Sequence, residues 1–140
     1  MLSDEQIILR RLEKLDQYVQ LLKKLVSNHV GKFVADPFVH GNAERYLQLA
    51  IQTCLDIGNY ILANRKIKAP DNYRDIFIFL GENDIISMEL AQKMAPLAGL
   101  RNILVHDYLD IDLEKIHALL ESNLSDFSRF AQEISENVLK

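Results

Sequence analysis

Three side chains able to act on a phosphodiester lie within eight residues: Arg101, His106 and Tyr108, with Asn102 beside the first. Arg101 carries a permanent charge on a planar fork that matches phosphate oxygens. His106 ordinarily titrates near neutrality, so it can take and give protons. Together they supply what metal-free phosphodiester cleavage needs. The imidazole moves protons and the guanidinium stabilises a charged phosphorane. Residue type alone favours a plainer reading. In that reading Arg101 is a surface or ion-paired residue, His106 is favoured by a helix C-terminus, and Tyr108 is a packing residue.

The spacing sets a geometric condition. At about 100° per residue, Arg101 and Tyr108 share a helix face, while His106 points about 140° away from Arg101. An intact helix therefore does not converge Arg101 and His106. Either the helix unwinds near His106, or a second chain completes the site.

The elements that must hold these residues read as helices. A long helix is expected from residue 3 to about 28. Ser3 and Gln6 form a capping box, and Ile8, Leu12, Leu15, Val19, Leu22 and Val26 form one apolar stripe. The stretch from Asn28 to Gly31 stops it. A second helix begins near Asp36 and Pro37 or near Asn42, with a broad apolar face from Leu47 to Leu62. Gly58 within it marks close helix approach, and Asn64 to Pro70 is a polar, basic exit. Tyr73 to Leu80 is a short helix closed by Gly81. A strand is rejected there because the chain offers no second strand to pair with it. The next helix starts at Asp84 or Ser87 and runs to about His106, with Pro96 kinking it or marking a restart. Asp110 or Asp112 caps a final helix to about Val138, with a stripe of Ile116, Leu120, Leu124, Phe127, Ala131, Ile134 and Val138. The sum is an all-α fold, an antiparallel bundle of four long helices and one short one.

Composition narrows the function. The 140 residues suggest one domain over 1–140, and 49% hydrophobic content is too high for a disordered chain. The single Cys54 forms no internal disulfide and reads as a core residue. There is no Cys/His cluster for zinc, so neither a metal nor another cofactor is expected. No apolar run approaches the ~20 residues of a membrane span, and no signal peptide opens the chain, so a cytoplasmic protein without membrane contact is expected. The formal net charge of -4 argues against nucleic-acid binding through bulk charge.

Other polar residues carry less. His29, His40 and His117 are scattered and read as non-catalytic. Asp56, among apolar residues, is either an ion-pair partner orienting Arg101 or a solvated acid. Arg65, Lys66, Lys68 and Arg74 read as a solvated loop, with an RNA or partner contact as the functional alternative. Asp110, Asp112 and Glu114 read as capping and first-turn acids.

The pattern Arg101, Asn102, His106, Tyr108 resembles the Arg-x4-His-x-Tyr signature of the HEPN superfamily, and closely its HepT toxin branch. The string from Gly99 to Asp112 is similar throughout, and the string from Glu44 to Gly58 resembles the second helix of that branch. The resemblance covers nearly the whole chain. It implies a homodimeric HEPN-like bundle with the motifs at a shared cleft. It implies a metal-independent endoribonuclease, the toxin of a type VII HEPN/MNT toxin–antitoxin pair, which leaves a cyclic phosphate. By position, Arg101 stabilises the transition state, His106 transfers the proton, and Asn102 binds phosphate or holds the helix end. The implied partner is a minimal nucleotidyltransferase (MNT) antitoxin that attaches AMP to Tyr108. The alternative within the resemblance is a non-catalytic HEPN dimer, the binding subunit of a nucleotidyltransferase complex.

Overall fold

Helices start where short polar side chains satisfy the first free amides. The structure, a computed structural model, describes residues 1–106 and 108–139, for Tyr108 the backbone alone. Helix α1 (Asp4–Val26) opens with the capping box. The Ser3 hydroxyl accepts from the Gln6 amide at 3.2 Å, and the Gln6 side chain accepts from the Ser3 amide at 2.9 Å. Its buried residues, Ile8, Leu12, Leu15, Val19 and Leu22, are the expected stripe except for Val26, which is half-buried at the helix end. The Asp36 carboxylate accepts from the Phe38 amide and caps α3 (Pro37–Asn64), with Pro37 in its first turn. Asn72 caps α4 (Tyr73–Glu82), and Asp112 caps α6 (Leu113–Val138) through the Lys115 amide at 3.2 Å.

One helix was not expected. Helix α1 stops at Val26 as expected, but the chain starts again at once as α2 (Val30–Ala35), whose first turn is capped by the His29 imidazole accepting from the Gly31 amide at 3.1 Å. A helix this short does not hold itself in water. Its Phe33 is fully buried with its ring edge-on to His117, centroids 5.0 Å apart. Tertiary burial, not local propensity, makes this helix. The remaining helices match the expectation of four long helices and one short, namely α1, α3, α5 (Met88–His106), α6 and the ten-residue α4.

Helix α3 lies at the centre and touches each of the other five helices. Its approach to α4 is close enough to require Gly58. A Cβ there would meet the Ile76 Cγ2 at 2.7 Å and the Leu80 Cδ1 at 3.0 Å. Gly81 does not close α4. It lies within the helix, where a Cβ would meet that of Ala91 at 2.9 Å, so its role is contact with α5.

The turn between α4 and α5 is clamped by α6. Glu133 accepts from the Ser87 amide at 2.6 Å, and Asn137 donates to the Ile85 carbonyl at 2.9 Å. Arg129 donates to Glu133, Glu89 and the Ser87 hydroxyl, and it holds the Glu89 carboxyl below its usual range. Ser87, one of the two expected starts, provides the first turn of α5 by accepting from the Leu90 amide. Pro96 sits inside α5 without a restart. Among the described residues no helix is long and apolar enough to cross a membrane.

Gly58→Val forces buried, β-branched Ile76 to move. We expect a loss of about 1–3 kcal/mol in urea unfolding, the usual cost of overpacking a filled core. An unchanged midpoint would mean that α3 and α4 are less tightly opposed than these contacts state.

Candidate functional site

Arg101 lies near the end of α5, half-buried, and three groups fix it. Its Nε donates to the Gln52 Oε1 of α3 at 2.8 Å. Its Nη1 donates to the Asn102 Oδ1 at 3.1 Å. Its guanidinium carbon stands over the Tyr73 ring of α4, 5.3 Å from the centroid, a cation–π contact. Gln52 is itself oriented by donating to the Asp56 Oδ1 at 2.8 Å. The carboxylate thus reaches the arginine through an amide relay and not by a direct ion pair. An amide acceptor positions the guanidinium without neutralising it, so the full charge stays available to an anion. The Nη2 group has no hydrogen-bond acceptor among the described residues.

His106 is the last residue of α5 and is exposed, with no hydrogen-bond partner among the described residues. The helix does not unwind before it. Five residues apart on one continuous helix, the Arg101 and His106 side chains leave about 140° apart, so the chain alone does not converge them. Asn102 narrows this gap. It lies one turn before His106 and about 40° from it around the axis, and it receives the Arg101 hydrogen bond. Tyr108 begins a 3₁₀ turn (Tyr108–Asp110), and its side chain lies outside the described residues.

The other histidines have structural partners. His29 caps α2, and His40 meets Glu44 at 3.3 Å. His117 is buried, with Nε2 at 2.9 Å from the Asn28 carbonyl and Nδ1 at 3.2 Å from Glu121. Cys54 is fully buried, and burial pushes its thiol pKa well up, which leaves it a core residue and not a nucleophile. No group of three or more His, Cys, Asp or Glu among the described residues is placed to hold a metal ion. Sequence reasoning missed Gln52 and Tyr73. Gln52, four residues before Asp56, carried a signal, since that spacing puts both on one helix face. Tyr73 carried none.

Residues 15–134 match the family described as Ribonuclease HepT-like. The chain belongs to that family. It is 33% identical to a tRNA nuclease HepT of Aphanizomenon flos-aquae, over 95% of this chain and 90% of that protein. It is 27% identical to an mRNA nuclease HepT of Shewanella oneidensis, over 91% and 96%. The fold overlays a tri-AMPylated Shewanella oneidensis HEPN toxin, solved in complex with an MNT antitoxin. The TM-score is 0.85 at 26% identity, over 93% of this chain and 97% of that one. The all-helical HepT-like architecture is therefore that of a HEPN toxin.

Gln52 supports Arg101 from outside the motif. In Gln52→Leu, with the far-ultraviolet circular dichroism unchanged, we expect single-turnover RNA cleavage to fall roughly 10- to 100-fold, the scale of a misplaced charge. Gln52→Glu, which sets a carboxylate against both the guanidinium and Asp56, should not recover the rate. Equal rates for Gln52→Leu and wild type would remove the relay from the site.

Proposed function

We propose that this HepT-like chain is the toxin of a HEPN/MNT pair, a cytoplasmic, metal-independent endoribonuclease with Arg101 and His106 as its catalytic residues. The observation that carries the reading is Arg101. Within a chain of ribonuclease family, it is a cation held in place by Gln52, Asn102 and Tyr73 and paired with no carboxylate among the described residues. In the reaction, the RNA 2′ oxygen bonds to the adjacent phosphorus and the bond from phosphorus to the 5′ oxygen breaks. The His106 imidazole takes the 2′ proton and returns it to the departing 5′ oxygen. Arg101 stabilises the added negative charge on the phosphorane. The products are a 2′,3′-cyclic phosphate and a free 5′ hydroxyl. Asn102 binds the phosphate beside Arg101.

The separation of Arg101 and His106 on α5 supports a homodimer in which the motifs of two copies meet in one cleft. The relatives are described as nucleases of different RNAs, one of tRNA and one of mRNA. RNA is their shared class, and their names do not choose a target for this chain. The partner is an MNT-type nucleotidyltransferase. It neutralises the toxin by binding it or by letting the Tyr108 oxygen attack the α-phosphate of a nucleoside triphosphate, with release of pyrophosphate. The resulting phosphodiester adds negative charge beside Arg101, occupying it and repelling RNA.

Free protein should cleave RNA in excess EDTA. Arg101→Ala and His106→Ala should each lower the rate by at least roughly 100-fold with the fold intact. Cleavage by both at the wild-type rate refutes the assignment. Folded, antitoxin-free protein that cuts no RNA leaves the binding-subunit alternative.

Co-expression with an MNT-type nucleotidyltransferase should raise the intact mass by AMP increments, and Tyr108→Phe should abolish the increase. An unmodified toxin beside an active transferase rules out modification at Tyr108.

A further inference from the structure

Between the start of α4 and the outer face of α5 lies a groove of about 260 Å³, bordered by Asn72, Tyr73, Arg74, Pro96, Gly99 and Asn102. Gly99 is its unexplained feature. A glycine in mid-helix costs stability and needs a reason. It has no positive φ, and a Cβ there would meet nothing within 4 Å. Close approach, the reason for Gly58 and Gly81, does not apply to it, and it shares this openness with Gly41 of α3. The missing side chain keeps the groove open toward something outside the chain.

The rim says what that is. Tyr73 stays 40% exposed although the Arg101 guanidinium covers its ring. Arg74 is an exposed cation, and Asn102 is exposed. An aromatic ring, a cation and an amide around an open floor are what stacking, phosphate pairing and hydrogen bonding to one nucleotide require. The groove also leads to the reacting residues. Gly99 and His106, seven residues apart on α5, differ by only about 20° around the helix, with Asn102 between them. The exposed stripe from Gly99 to His106 is about 10 Å long.

We propose that this groove is an RNA subsite that seats one nucleotide of a single strand adjacent to the cleaved bond. Its base stacks at Tyr73 and its phosphate pairs with Arg74. The subsite rests on the ribonuclease reading for its substrate but not for its measurement. The assay is fluorescence anisotropy of a labelled, mixed-sequence single-stranded octaribonucleotide, in a His106→Ala background so that the probe survives. Tyr73→Ala should weaken binding roughly 5- to 150-fold, the range of one lost base stack, while Tyr73→Phe stays within about twofold. Gly99→Leu fills the floor without touching Arg101 and should weaken binding to a similar degree. Light scattering should show the same oligomeric state for every variant. Undiminished binding by Tyr73→Ala and Gly99→Leu overturns the subsite. So does a change of oligomeric state in Gly99→Leu, which would make the groove a seam between copies. Binding that depends on both Tyr73 and Gly99, by a chain that never cuts RNA even with His106 intact, upholds the subsite and refutes the ribonuclease reading.

Discussion

The hydrogen bond from Arg101 to Gln52 fixes the charge at the site to the most constrained helix of the molecule. Helix α3 is buried along most of its circumference, from Val39 through Leu62, because every other helix packs on it. What remains toward solvent is a strip with Arg45, Gln52, Asp56 and Asn59 at helical spacing. Gln52 on that strip cannot drift, since its backbone is locked by the core below and its amide by Asp56 beside it. A guanidinium bonded there inherits that rigidity. Catalysis by a preorganised charge depends on such fixity, because no reorganisation remains to be made as charge develops on the substrate.

The other support is Tyr73, and it extends the dependence to α4. Asn72 caps this helix and sets the direction of its first turn, which places the Tyr73 ring under Arg101. Gly58 lets α4 lie close against α3. The clamp of Arg129, Glu133 and Asn137 on the next turn sets where α5 begins. Three contacts far from the motif thus decide where the motif's arginine sits.

What could be read from the sequence follows this division between local and distant causes. The caps at Ser3, Asp36 and Asp112 were readable because a cap and its amides are neighbours in the chain. The core stripe of α1 was readable for the same reason. Helix α2 was not, since its stability comes from Phe33 meeting His117 of α6. The clamp on Ser87 joins residues 42 and 46 positions apart, and neither end has an unusual sequence. Asp56, read as either an ion-pair partner of Arg101 or a solvated acid, is exposed and reaches Arg101 only through Gln52. Residue type left both readings open, and only geometry shows that Gln52 stands between them.

The acidic balance of the chain changes its meaning once the site is built. A net charge of -4 excludes a surface that gathers RNA by counterion release along many phosphates. It does not oppose a site where one fixed cation, one amide and one aromatic ring meet a single nucleotide, because short-range pairing outweighs a field screened over about 10 Å. Few contacts then place the burden of recognition on shape and stacking, which a groove with an open glycine floor can provide. They also expose the site to a small chemical change. With so few cations to recognise phosphate, a phosphodiester added nearby would compete with the substrate for Arg101.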